Sequence, residues 1–219
     1  MGEGRRRLSP DHRRAELLAW GVEMFGRRPY DEVRIDEVAE RAGVSRALMY
    51  HYFPDKRAFF DAVVDAEAQR LFEATTPPRG PDQTLFQRIR AAVLACLEYH
   101  ERHPNSVWAA YLGVGRADPL LLAIEELVID RQVPRVMALL TEVVPGRQQG
   151  LDGSTACALR MSVSGWLAFT FEVCRQQITD PAVDGGLLGD VCAHALLDTI
   201  ARLPGIPAGL AEAVAPERR

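Results

Sequence analysis

Between Val33 and Phe53 the chain has room for two short helices and a turn of about three residues, and for little else. Ile35, Val38, Ala39 and Ala42 recur at helical spacing and stop at Gly43, a residue suited to the left-handed conformation that ends a helix. Ser45 then offers an N-cap hydroxyl for a second helix, which runs to Phe53 and is broken by Pro54. That pairing is the helix-turn-helix pattern, whose second helix can lie in a DNA major groove. At about 100° per residue, Met49, Tyr52 and Phe53 gather on one apolar face, while Arg46, Ala47, Tyr50 and His51 spread over the other.

The rest of the chain reads as helical too. Ser9-Pro10 is a start signal, a capping hydroxyl followed by Pro at the first helical position, and Leu17, Leu18, Gly21, Met24 and Phe25 follow at helical spacing. Asp55 caps a fourth helix through about Phe72, and the prolines from Thr75 to Pro81 mark a loop. Further helices are expected at about 83–102, 105–113, 118–144, 153–177 and 185–203. Pro134 should kink the third of these, and the Pro, Gly and Ala of the tail after Leu203 suggest frayed chain. No alternating pattern is long enough for a strand, so the expected class is all-α.

Charge divides the chain unevenly. Residues 1–57 carry 12 Lys/Arg against 10 Asp/Glu, and residues 58–219 carry 14 against 20. A basic segment on an acidic body fits a polyanion-binding module joined to something else, with the boundary placed at 57/58. Apolar residues at 47% supply a core, and no run approaches the roughly 18 residues of a membrane span. The basic start lacks the apolar segment of a secretory signal, and Cys96, Cys157, Cys174 and Cys192 form no CxxC. They read as reduced core thiols, which places the chain in the cytoplasm.

The polar face of the second short helix has plausible work on DNA. Arg46 suits guanine O6/N7, and His51 suits a base edge or a thymine methyl. Tyr50, Ser45 and Lys56, the sole lysine, suit phosphate oxygens, and Arg34 adds a further phosphate contact. Ala47 allows close approach, and Leu48 and Tyr52 complete the candidate interface. Arg5-Arg6-Arg7 reads as a basic arm following the DNA backbone. Spacing and charge alone also allow a helical hairpin whose polar face simply meets water.

Asp36 to Arg57, with Ala42-Gly43-Val44-Ser45, Tyr50-His51-Tyr52-Phe53 and the following Lys56 in register, closely resembles the DNA-binding signature of TetR-type bacterial transcriptional regulators. The likeness covers residues 9 to about 65. It departs where Pro29 replaces a common glycine and where Arg34 replaces a common capping Thr. The resemblance implies a two-fold dimer of nine-helix subunits, usually a repressor of a partly palindromic operator. It also implies a dimer bundle built from 153–177 and 185–203, and a small-molecule pocket within helices five to eight.

Candidate pocket residues are Cys96, His100, Trp108, Tyr111, Met137, Met161, Trp166 and Phe169, whose apolar character suits a hydrophobic effector. His100 and His103 share a helix face, but zinc needs three or four ligands and no HExxH is present, so no metal or cofactor is expected. Gly185 to Gly189 does not follow a strand, there is no Walker A sequence, and no enzyme is expected.

Overall fold

The computed structural model describes residues 9–76, 83–103, 119–142, 152–180 and 183–215. Among these the protein is all-α, with nine α-helices and one 3₁₀ turn. They are α1 (Pro10–Phe25), α2 (Ile35–Arg41), α3 (Arg46–Tyr52), α4 (Lys56–Ala74), α5 (Leu85–Arg102), α6 (Pro119–Glu142), α7 (Gly153–Thr179), α8 (Gly185–Ala201) and α9 (Ala208–Val214), with the 3₁₀ turn at Tyr30–Glu32. The helix expected at 105–113 lies outside the described residues. Two compact units divide at Arg70 and Leu71, within α4.

The first unit is built on α1 to α3 and the start of α4. Ser9 Oγ accepts from the His12 amide at 3.3 Å, and Pro10 opens the first turn of α1. Gly43 takes φ +62°, which lets its own amide reach the Glu40 carbonyl (3.0 Å) and the Val44 amide reach that of Ala39 (2.9 Å). This pair of bonds is a Schellman closure, which satisfies carbonyls that the end of α2 would otherwise leave open. Ser45 Oγ accepts from the Leu48 amide at 3.1 Å and starts α3. Asp55 Oδ1 accepts from the Ala58 amide at 2.8 Å and starts α4.

Aromatic rings fill the core of this unit. Phe25 meets Phe60 edge-on at 4.8 Å, Phe60 meets Tyr30 at 5.1 Å, and Phe53 meets Phe59 at 4.9 Å. At Gly21, α1 lies close against α4: a Cβ there would sit 2.4 Å from Val63 Cγ2 and 2.6 Å from Phe59 Cζ.

The second unit holds the end of α4 and α5 to α9. α5 buries Leu85, Ile89, Val93, Cys96, Leu97 and His100, and packs mainly on α8, while α6 packs on α7 and α7 on α8. Asp152 and Asp184 cap α7 and α8 through the amides of Thr155 (2.7 Å) and Leu187 (3.0 Å). Trp166 Nε1 donates to the Cys192 carbonyl at 2.7 Å, fastening α7 to α8.

Two expectations change, for the tail and for one cysteine. The tail after Leu203 is not frayed as far as Val214: it forms α9, whose Leu210 and Val214, one turn apart, are buried against α8 and α5. Pro134 sits inside α6, on its exposed side, and the helix runs on to Glu142. Cys157 is exposed and is no core thiol, whereas Cys96, Cys174 and Cys192 are buried. Leu159, Val163, Leu167 and Phe171 of α7 are buried by the chain itself, whereas Met161 and Phe169 of α7 and Leu187 and Val191 of α8 are exposed.

Candidate nucleic-acid interface and effector cavity

The apolar side of α3 is anchored as its spacing demands. Met49 and Phe53 are 1% and 2% exposed, so the helix cannot roll, and its other face is held outward. On that face Ala47, Tyr50 and His51 are exposed, with Leu48 half-buried beside them. Arg46 extends into solvent, yet its Nη2 lies 2.6 Å from Asp36 Oδ2 on α2. This pair orients the guanidinium while leaving most of its N–H donors available.

The flanking candidates are more occupied. The Tyr52 hydroxyl donates to the Pro10 carbonyl at 3.3 Å, tying α3 to the start of α1. Lys56 Nζ donates to the Asp31 carbonyl at 3.2 Å and sits 4.4 Å over the Tyr30 ring. Two of its three donors remain for a phosphate. Arg34 is exposed at the N-cap position of α2 and makes no side-chain cap bond there. The basic arm at Arg5 to Arg7 lies outside the described residues.

Within the second unit, α4 to α7 line a half-open cavity of about 120 Å³. Leu71, Ile89, Val93, Leu139, Leu167 and Phe171 give it an apolar wall. Two of the candidates, Cys96 and Trp166, line it. Met161 and Phe169 instead face outward, at 69% and 41% exposure. His100 is fully buried and Met137 half-buried, and neither reaches the cavity wall. Trp108 and Tyr111 lie outside the described residues.

Sequence reasoning missed the polar corner of the cavity, made by Thr75, Thr76, Gln132 and Arg135. Arg135 donates to the Phe72 carbonyl (2.6 Å), Thr75 Oγ1 (2.8 Å) and Thr76 Oγ1 (3.2 Å), and stacks 4.6 Å over the Phe72 ring. Burial lowers its pKa to about 10, which still leaves it charged at neutral pH. The available signal was a Gln and an Arg one turn apart on the helical stripe of Val128, Val136 and Leu139, whose spacing (128, 132, 135, 136, 139) marks an inward face.

The buried thiols form a second cluster. A hydrogen bond from Cys174 favours the Cys96 thiolate and draws its pKa down, against the effect of burial, with His100 acting in the same direction. That bond and burial together push Cys174 up, and burial pushes Cys192 up to about 11. No group of three or more His, Cys, Asp or Glu among the described residues is placed to hold a metal ion. None of the described helices is long and apolar enough to cross a membrane.

Comparison with known proteins bears on the first unit most directly. A family model described as bacterial regulatory proteins, tetR family, matches residues 17–63. Over 186 residues the chain is 28% identical to the HTH-type transcriptional activator FasR of Mycolicibacterium smegmatis, spanning 82% of this chain and 81% of that one. It is 35% identical over 69 residues to the HTH-type transcriptional regulator EthR of the same species, spanning 31% of this chain and 32% of that one. A TetR-family transcriptional regulator from Streptomyces coelicolor shares the fold with a TM-score of 0.69 at 21% identity, over 94% of this chain and 88% of that one. A TetR-like regulator from Rhodococcus sp. RHA1 does so with a TM-score of 0.61 at 18% identity, over 90% of this chain and all of that one (100%).

Proposed function

The chain belongs to the TetR family of bacterial transcriptional regulators, and from that premise we propose that it is a dimeric repressor released from a partly palindromic operator by a small hydrophobic ligand. The observation carrying this reading is the anchored α3, which presents Arg46, Ala47, Tyr50 and His51 on its outward face. Arg46 and His51 read base edges; Tyr50, Ser45, Lys56 and Arg34 hold phosphates, with Leu48 and Tyr52 packed alongside. In this proposal residues 1–57 bind DNA in the bacterial cytoplasm and residues 58–219 bind ligand and dimerise.

Dimerisation is supported by apolar side chains that the single chain leaves in water. Met161 and Phe169 lie two turns apart on α7, and Leu187 and Val191 (55% and 46% exposed) one turn apart on α8. A partner copy covering them would place two recognition helices about one DNA turn apart. Ligand in the cavity lowers operator affinity by favouring a body conformation that no longer matches that spacing. Leu187→Glu with Val191→Glu tests the surface: sedimentation of the variant as a monomer supports it, and an unchanged dimer places the interface elsewhere.

The deciding experiment is site selection from random duplex DNA, run beside a Tyr50→Ala, His51→Ala control. A partly palindromic consensus that disappears in the control supports the reading. Failure to enrich any sequence, with and without cell extract as a source of corepressor, would sink it. FasR, a transcriptional activator with which 82% of this chain aligns, favours a second reading of the sign alone. A promoter fusion decides it, since loss of a repressor raises expression and loss of an activator lowers it.

A further inference from the structure

The cavity of the second unit carries a guanidinium with no carboxylate partner among the described residues. Among the described residues, Arg135 has no carboxylate within ion-pair distance; its three bonds go to the neutral oxygens of Phe72, Thr75 and Thr76. A guanidinium has five N–H donors, so those three bonds leave two unused. Arg88, which lines the same cavity, makes the contrast: its charge is met by Glu142 at 2.9 Å. Arg135 is half-buried, so its charge is only partly solvated, and an occupant that supplies a countercharge would be favoured.

A buried group beside it also lacks a partner. The Thr75 hydroxyl gives its proton to the Leu71 carbonyl at 2.7 Å, so its oxygen can only accept. Gln132 must therefore turn its Nε2 toward Thr75 (3.3 Å), which fixes the amide and leaves Oε1 as the free end. That oxygen is fully buried with no hydrogen-bond partner, in a side chain only 3% exposed. Gln132 and Arg135 are one turn apart on α6, so the unmet acceptor and the unmatched cation share one corner, facing an apolar wall.

We propose that this cavity binds a small organic acid, whose carboxylate pairs with Arg135, whose hydroxyl or N–H donor meets Gln132 Oε1, and whose apolar body packs against Val93, Leu139, Leu167 and Phe171. The proposal rests on reading the second unit as the effector-binding body, and it narrows the effector from hydrophobic to acidic. The volume of about 120 Å³ suits a body of roughly one aromatic ring, since an apolar cavity of about 150 Å³ admits benzene. Cys96 lies on the same wall and its thiolate favours the Arg135 charge from a distance, whereas a bound carboxylate pairs with the guanidinium directly.

Calorimetric titration of the full chain with 3-hydroxybenzoate, benzoate and benzyl alcohol tests it. Both acids are expected to bind at least about tenfold more tightly than the alcohol, with the hydroxy acid ahead of benzoate. Arg135→Gln should remove the preference for acids while leaving benzyl alcohol within about threefold. Gln132→Leu should remove only the advantage of the hydroxyl. Should Arg135→Gln fail to fold, Arg135→Lys keeps the charge and loses the fork, and is expected to bind acids at intermediate strength. Benzyl alcohol binding as tightly as benzoate overturns the acid proposal but leaves the apolar effector site standing. No binding of any of the three at millimolar concentration overturns both.

Discussion

The two units solve opposite packing problems. In the first, α1 approaches α4 so closely that Gly21 has no room for a single methyl, and rings from Phe25 to Phe60 interlock behind α3. In the second, helices of comparable or greater length leave about 120 Å³ unfilled and a glutamine oxygen unbonded. A close-packed unit holds one shape and presents a fixed surface, as reading a DNA groove requires. An underpacked unit has more than one way to fill itself, which is what a ligand can exploit.

Substitutions of similar size should therefore have opposite consequences in the two places. Gly21→Val drives a branched side chain into Val63 and Phe59 and should cost on the order of 3 kcal/mol, read as a lower urea midpoint. A loss below about 1 kcal/mol would mean the first unit is as yielding as the second. Arg46→Ala leaves that core intact and should cost about 1–3 kcal/mol in binding to the selected operator, relaxing one base position. An equal loss on every base variant would make Arg46 a phosphate contact held in place by Asp36.

Ser45→Ala removes the hydroxyl that receives the Leu48 amide, and should lower stability by about 1 kcal/mol. The smallest stability change is expected from Ala92→Leu, which adds volume at the cavity wall. Its unfolding free energy should change by less than about 1 kcal/mol, in either direction, while benzoate binding is lost. A destabilisation matching that of Gly21→Val would show that no usable space exists there.

How far these features could be read from the residues depends on how local their causes are. The turn at Gly43, the cap at Ser45 and the anchoring of Met49 and Phe53 are each decided within a few positions, so the helix-turn-helix was legible. α9 was not, because Leu210 and Val214 are its only large apolar residues and their burial depends on α8 and α5 arriving from elsewhere. α7 is apolar on several sides, and nothing in its period tells which side meets the chain's own core, the cavity or solvent. That is why the period alone does not separate Trp166, which lines the cavity, from Met161 and Phe169, which face solvent. Gln132 and Arg135 were passed over because polar residues on a long helix are ordinarily its wet face. Thr75 was assigned to a loop, though its hydroxyl bonds back to Leu71 in the turn that follows α4.

The solitary lysine has a practical consequence. A lysine-specific protease has one place to cut this chain, after Lys56, at the first residue of α4. That bond lies inside a capped helical turn whose lysine is held by Asp31 and Tyr30, so hydrolysis must wait for the turn to open. The chain thus carries a built-in footprinting site, and operator DNA lying along α3 and gripping Lys56 is expected to slow the cut.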